Sequence, residues 1–451
     1  MERLIERFMR YCRIDTQSDE ESTTYPSTAK QLNLSRMLVE ELKEIGMQEV
    51  ELDEHGYVMA TLPANLPEGH KEIPVIGFIS HVDTSPSVTG ANVDPQWVDY
   101  EGGDIVLPKD PSQVIRVADY PMLKDYEGTP IITTDGTTLL GADDKAGIAE
   151  IMTAMEQLIQ DKDALHGKVR VLFTPDEEIG RGVEFLDIEK LGVECAYTMD
   201  GSKLGEIENE NFNAFGAQIT IRGKNVHPGY AKDKMINALR VLSFLVTQFP
   251  EDMLPESTEG REGYVHPHEA TACEEEASLH VLIRDFEREG VESKQVLLWE
   301  ICARTEERFP GAEVTCTFKH SYDNMRFRLE ERPEIVEYAM EAAKRVGVEP
   351  HLSSIRGGTD GAMMTAKGIP TPNIFTGAHA FHAKTEWAAV STMRKSVETI
   401  IELVKIWAKR PDCFCYLERS REHASRYSAT SQTTRCFVGH RSTREKYCID
   451  A

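Results

Sequence analysis

KVRVLFTPDEEIG, residues 168–180, is the stretch on which the reading of the fold turns. Its first half alternates charged and apolar residues and is β-branched and aromatic, so it reads as a strand ending near Thr174. Pro175 then stops the ladder, because it has no N–H to donate. Asp176, Glu177 and Glu178 follow at once. Neighbouring carboxylates raise one another's pKa and cost energy unless cations or donors balance them. Taken alone, the triplet also reads as a solvated acidic turn, since acidic side chains mostly stay in water.

The same arrangement recurs along the chain. The apolar run EIPVIGFIS (72–80) leads into HVDTSPS, and a β-rich segment ends at LGADDKAG, which opens a helix over 146–160. ECAYTMD is another strand ending in an acid. With helices over the N-terminal MERLIERFMRYCRID and over 35–45, this alternation predicts an α/β sheet with functional loops at its strand ends. From Asn213 the pattern changes. AQITIRG, a helix over 235–248, SLHVLIRDF, a helix over 291–308 and AEVTCTFKHSYDN predict a βαββαβ unit, a small α+β sandwich inserted in the first domain. The α/β pattern returns at Pro333, with the loop IRGGTDG, the strand IPTPNIF and a last helix over 392–409. The expected division is 1–212 and 328–410 for a catalytic domain, with 213–327 inserted. Residues 411–451 are rich in Ser, Thr and Arg without periodicity. They are expected to lie outside the fold, as disordered chain or an altered reading frame, and to be dispensable.

A chain of 451 residues has room for two or three domains. Its formal net charge of -26 argues against nucleic acid and anionic membranes as partners, because both call for clustered Lys and Arg. A small molecule or short peptide fits better. No stretch approaches the roughly 18 apolar residues of a membrane span, so a soluble, cytoplasmic protein is expected. The 9 cysteines show no CxxC spacing, and the pair Cys413 and Cys415 is too tight for the common zinc motifs. Reduced structural thiols are expected.

Candidate chemistry sits at the strand ends: His81 and Asp83, Asp143 and Asp144, Glu177 and Glu178, Asp200, and His382. Two imidazoles with several carboxylates suit Zn²⁺, Co²⁺ or Mn²⁺ better than an all-oxygen Ca²⁺ site. Each residue alone has an ordinary reading, a hydrogen-bonded histidine or a turn aspartate. The spacing of HVDT points His81 and Asp83 to one face of an extended chain, where the carboxylate can hold the ring. On extended chain Glu177 and Glu178 face opposite ways, so one can bind metal while the other reaches an attacking water.

HVDTSP, GADDKAG, FTPDEE, TMDG, NVHPG, RGGTDG and FHAKTE, in that order over about residues 1–410, resemble the di-zinc exopeptidases related to aminoacylase and carboxypeptidase G. The resemblance implies a mixed sheet flanked by helices, with the inserted sandwich as a lid or dimerisation domain. It implies two Zn²⁺ ions, with Co²⁺ or Mn²⁺ as alternatives, bridged by Asp143. His81 and Asp200 would hold one ion, Glu178 and His382 the other, and each ion would keep an open position. By the same resemblance Glu177 is the general base, Asp83 orients His81, and His227 steadies the oxyanion. Arg284 and Arg356 would take the peptide carboxylate. The implied activity is release of the N-terminal residue from tripeptides, with a homodimer formed through the inserted domain. Alternatives are a dipeptidase, an N-acyl amino acid deacylase or a non-catalytic peptide-binding protein. The late motif departs from the expected HGKHE form, with Thr385 in place of a second histidine and His379 as a rival to His382. His266 and His268 are expected in a polar loop of the inserted domain.

Overall fold

The strand Val169–Thr174 lies inside an eight-stranded sheet. In the computed structural model, which describes residues 2–409, the order across that sheet is Gln48–Leu52, Val58–Leu62, Val169–Thr174, Ile76–His81, Cys195–Gly201, Asn373–Phe375, Glu206–Asn211 and His351–Ile355. The tail expectation for 411–451 falls outside the described residues. Val169–Thr174, Ile76–His81, Cys195–Gly201 and Asn373–Phe375 run parallel. Val58–Leu62 and Glu206–Asn211 join antiparallel, so the sheet is mixed, as expected. Parallel ladders need long crossovers, and these bring the carboxyl ends of the central strands to one edge.

Val169–Thr174 is buried on both faces rather than alternating. Arg170 sits within it because its guanidinium donates to the Leu191 carbonyl at 3.0 Å and to Thr61 Oγ1 at 2.5 Å. A central strand tolerates a charged residue only when its donors are met.

The helix Ala142–Gln160 starts four residues earlier than its periodicity suggested. It packs against Glu2–Cys12 and Val390–Lys409, and on the strands Ile76–His81 and Cys195–Gly201. Its approach depends on Gly147: a Cβ there would stand 2.6 Å from Asp144 Oδ1 and 2.9 Å from Ser80 Oγ, and closer still to the Met199 carbonyl oxygen. A second sheet was not foreseen. It joins Ala378–His379, Trp387–Ala389, Thr129–Thr133 and Gln96–Tyr100, strands too short to give a period, around buried Ile131, Tyr100 and Trp387.

The chain divides into two compact units, one taking in residues up to 209, 325–353 and 359 onward, the other residues 210–324 with 354–358. The second unit is an antiparallel sheet in the order Tyr264–Ala272, Glu276–Asp285, Asn213–Arg222 and Glu313–Tyr322. One face of that sheet carries the helices Ala238–Val246 and Arg288–Arg308 over Leu279, Val281, Ile283 and Ile219. His266 and His268 belong to the strand Tyr264–Ala272 and not to a loop. A bulge between Pro267 and Glu269 accommodates the proline and hides the alternation that marks a strand.

Candidate metal centre

His81 ends its strand at 2% exposure. Nδ1 lies 3.1 Å from the Asp83 carbonyl oxygen and 3.3 Å from Asp83 Oδ1, while Nε2 points at Asp143 Oδ1, 2.8 Å away. Asp83 is fully buried and has a second task. Its two oxygens accept the main-chain N–H groups of Glu177 at 3.0 Å and Glu178 at 3.2 Å. One carboxylate therefore ties the histidine loop to the DEE turn.

That turn is not extended. Asp176 is left-handed (φ 57°), a conformation Asp adopts more readily than most residues, and Glu177–Ile179 is a single 3-10 turn. Asp176 is fully buried and accepts from Ser27 N (2.6 Å), Ser27 Oγ (2.5 Å) and Gln31 Nε2 (2.6 Å). The three acids thus separate by environment: Asp176 anchors the turn, and Glu177 and Glu178 project toward His81 and His382. Glu178 Oε2 is 2.7 Å from His382 Nε2, and Glu177 Oε2 is 4.0 Å from His81 Nε2.

Asp143 stands between the imidazoles, with Oδ1 toward His81 and Oδ2 3.2 Å from His382 Nε2. Its main chain is fixed by Glu386, which is 1% exposed and accepts from Leu140 N (2.7 Å), Gly141 N (2.8 Å) and Asp143 N (3.0 Å). Burial pushes the Glu386 carboxyl up to about 7 against these donors. Asp144 accepts from Ser80 Oγ and from His81 N at 3.2 Å. Asp200 Oδ1 lies 3.9 Å from His81 Nε2. Among the described residues, two triads bring ligand atoms close enough to share an ion: His81, Asp143 and Glu178, and His81, Asp144 and Asp200. Asp144 was named as a candidate in the sequence but not placed in the ligand set.

His379 is remote in character from His382. It is 3% exposed, stacks on Trp387 with centroids 4.1 Å apart, and pairs Nδ1 with Ser202 Oγ at 3.0 Å. Burial lowers its pKa to about 3, so it is a neutral core histidine. His382 is left-handed (φ 60°), half-exposed and directed at Asp143 and Glu178.

The charge balance tests whether cations fit. Burial, Asp143 and Glu177 raise Asp200 well above the carboxylate range, and burial with Asp360 and Glu178 does the same for Glu177. Glu178 is pushed up to about 7 by burial and by Asp143, and His382 to about 10 by its bonds to Asp143 and Glu178. His81 is held well above its usual value by Asp143 and Asp83 despite its burial. No Lys or Arg among the described residues lies within ion-pair distance of Asp143, Asp200, Glu177 or Glu178. Glu178 Oε1 is buried without a hydrogen-bond partner. A donor set of nitrogen and oxygen atoms, rich in unbalanced negative charge and with an orphaned carboxylate oxygen, fits divalent cations.

The three residues expected on the substrate side lie in the other unit. His227 is exposed, and its Nδ1 accepts from Gly229 N at 3.1 Å, as a turn histidine does. Arg284 donates to the carbonyls of Phe215 and Ile283. Arg356 has its donors committed to Gly260 O, Glu262 O and Thr258, with the guanidinium 5.2 Å from the Phe212 ring centroid.

A mixed sheet with such acids and imidazoles at its strand ends is the architecture of one peptidase class, and the model of peptidase family M20/M25/M40 matches residues 127–406. The chain belongs to this family. Within it the similarity is to peptidase T. The chain is 51% identical over 408 residues to peptidase T of Geobacillus kaustophilus, covering 90% of this chain and 98% of that one. Among solved structures, a tripeptidase of Staphylococcus aureus is 23% identical with a TM-score of 0.68, over 90% of this chain and 98% of that one. A dinuclear metal-binding M20 peptidase of Bacillus subtilis is 16% identical with a TM-score of 0.62 over the same shares. Both confirm the fold.

Proposed function

We propose that this chain is a two-metal aminopeptidase that releases the N-terminal residue of tripeptides. The observation that carries this reading is Asp143, whose two oxygens face His81 and His382 separately, with Asp200 and Glu178 beside them. The peptidase T likeness over nearly the whole of the relative supports it. In this reading His81, Asp200 and Asp143 hold one cation, and Asp143, Glu178 and His382 the other. Zn²⁺ is the favoured ion and Co²⁺ or Mn²⁺ the alternatives. Bound cations would supply Lewis acidity and lower the pKa of an attacking water. Glu177, held on its turn by Asp83, takes the water's proton and passes it to the leaving amine. Asp83 keeps the His81 ring oriented. His227 is assigned to the oxyanion and Arg284 and Arg356 to the peptide carboxylate, with the committed donors of Arg356 making it the weakest of the three. A homodimer through the 210–324 unit and a cytoplasmic location belong to the same reading.

Metal content measured alongside hydrolysis of di-, tri- and tetrapeptides and of acylated amino acids tests it. Preferred release of the first residue from tripeptides is expected. Cleavage of acylated amino acids alone would favour the deacylase reading, and a metal-free, inactive protein would favour peptide binding without catalysis. His382→Ala should lose one cation and the activity, whereas His379→Ala should keep both cations and cost stability, about 1–3 kcal/mol for a buried polar network. Loss of metal from the second variant and not the first would reassign the ligand. Glu386→Gln leaves one of three main-chain donors facing an NH₂ group. Cation affinity should fall about 10- to 100-fold by equilibrium dialysis; an unchanged affinity would mean that the Asp143 loop holds its shape unaided.

A further inference from the structure

An enzyme that acts on free N-termini needs an anion for the substrate's α-ammonium, close to the cations but not bound to them. Most carboxylates near the centre are already committed. Asp83, Asp176 and Glu386 accept main-chain N–H groups, and Asp144 accepts from Ser80 and His81. Asp360 accepts from Thr174 Oγ1 at 2.5 Å and is 3% exposed, closed off by Gly182, where a Cβ would collide with its carboxylate.

Glu208 is different. It lies on Glu206–Asn211 opposite Asn373, which in turn lies opposite Thr198. The three side chains are joined across the strands: Asn373 Nδ2 donates to Glu208 Oε2 at 3.0 Å, and Asn373 Oδ1 accepts from Thr198 Oγ1. Thr198 shares a strand face with Asp200, two residues further on, so this row runs along the face that carries the candidate metal ligands. The row spans two strand spacings, about 10 Å from Glu208 to Thr198. Glu208 is half-buried and accepts from Asn373 alone, and no Lys, Arg or His among the described residues pairs with it. Burial and the nearby Glu206 push its carboxyl up to about 8, as befits a carboxylate lacking a cation. Glu206 itself is tied to Ser202 N and Lys203 N.

We propose that Glu208, positioned by Asn373, is the seat of the substrate's α-ammonium and the residue that selects free over acylated N-termini. This rests on the aminopeptidase reading and adds the group that makes the activity specific to a free amine. The expected contact is a charge-assisted hydrogen bond in a half-buried setting.

The metal-loaded full chain is tested with trialanine and N-acetyl-trialanine. Glu208→Gln keeps the acceptor for Asn373 and removes the charge. KM for trialanine should rise about 10- to 100-fold with kcat changed much less, while metal content and Tm match the parent. The preference for trialanine over its acetylated form should narrow by the same factor. An unchanged KM and preference would overturn the assignment. A measurement on the parent protein stands independently of the variant's folding: calorimetric binding of alaninamide against N-acetyl-alaninamide. Equal affinities would overturn the proposal. A parent that binds alaninamide selectively yet cleaves no peptide would instead defeat the aminopeptidase reading and leave the ammonium site standing.

Discussion

Glu177→Gln is expected to leave the cations bound and KM for tripeptides little changed while kcat falls about 10²- to 10⁴-fold. The reasoning starts from the main chain. The turn Glu177–Ile179 is held by Asp83 and Asp176 through main-chain N–H groups and the Asp176 side chain, none of which involves the Glu177 carboxylate. Replacing its oxygen by an amide therefore preserves the turn and the neighbouring Glu178. Only the capacity to accept a proton is lost, and that loss appears in the transition state rather than in binding. Steady-state kinetics with metal analysis on the same preparation decides the matter. A variant within tenfold of the parent, with its cations in place, would return Glu177 to the status of an acidic turn.

Asp143→Asn should have the broadest effect, because one side chain faces both imidazoles. An amide has a single acceptor oxygen and cannot bridge two cations, so both should be lost and activity should fall more than 10²-fold. Stability carries a second signature. A ligand present at about 1,000 times its Kd stabilises by roughly 4 kcal/mol, and chelation should remove that amount from the parent while barely moving the variant. The metal-free variant should also melt above the metal-free parent, since one charge of a crowded acidic set is gone. Cation binding to the parent should weaken as pH falls from 8 to 6, because the imidazoles and Glu178 must give up protons to bind. The direction follows from His382, raised to about 10 by its carboxylate partners, and Glu178, raised to about 7. Calorimetric melts with and without chelator, over that pH range, would contradict this if the variant lost as much stability as the parent.

The strands Ile76–His81 and Val169–Thr174 were legible because a run of apolar residues ends abruptly in polar ones, which marks a buried strand and its loop together. The acids and imidazoles that gather at the centre were legible for the same reason. What escaped was held by long-range main-chain bonds. Nothing in HAKTE announces that Glu386 accepts three N–H groups some 243–246 residues earlier, or in PDEE that Asp176 reaches Ser27. The preference for His382 over His379 rested on motif spacing alone; the burial of His379 against Trp387 supplies a physical reason. Tyr264–Ala272 was missed because Pro267 interrupts its alternation, and only the pairing with Glu276–Asp285 makes a strand of it.

Glu386 and His382 come from the last loop before the final helix, whereas His81 and Asp143 lie far upstream. Ribosomal synthesis therefore delivers the final ligand and its brace only after some three hundred further residues have emerged. A nascent or prematurely terminated chain has His81 and Asp143 but no partner for the far oxygen of Asp143 and no clamp on its loop. Incomplete product is thereby kept from cleaving peptides inside the cell that makes it, without any inhibitor or removable segment. Hydrolytic capability serves as a marker of finished synthesis, and ribosome-stalled chains ending before Ala380 should show none in a translation assay.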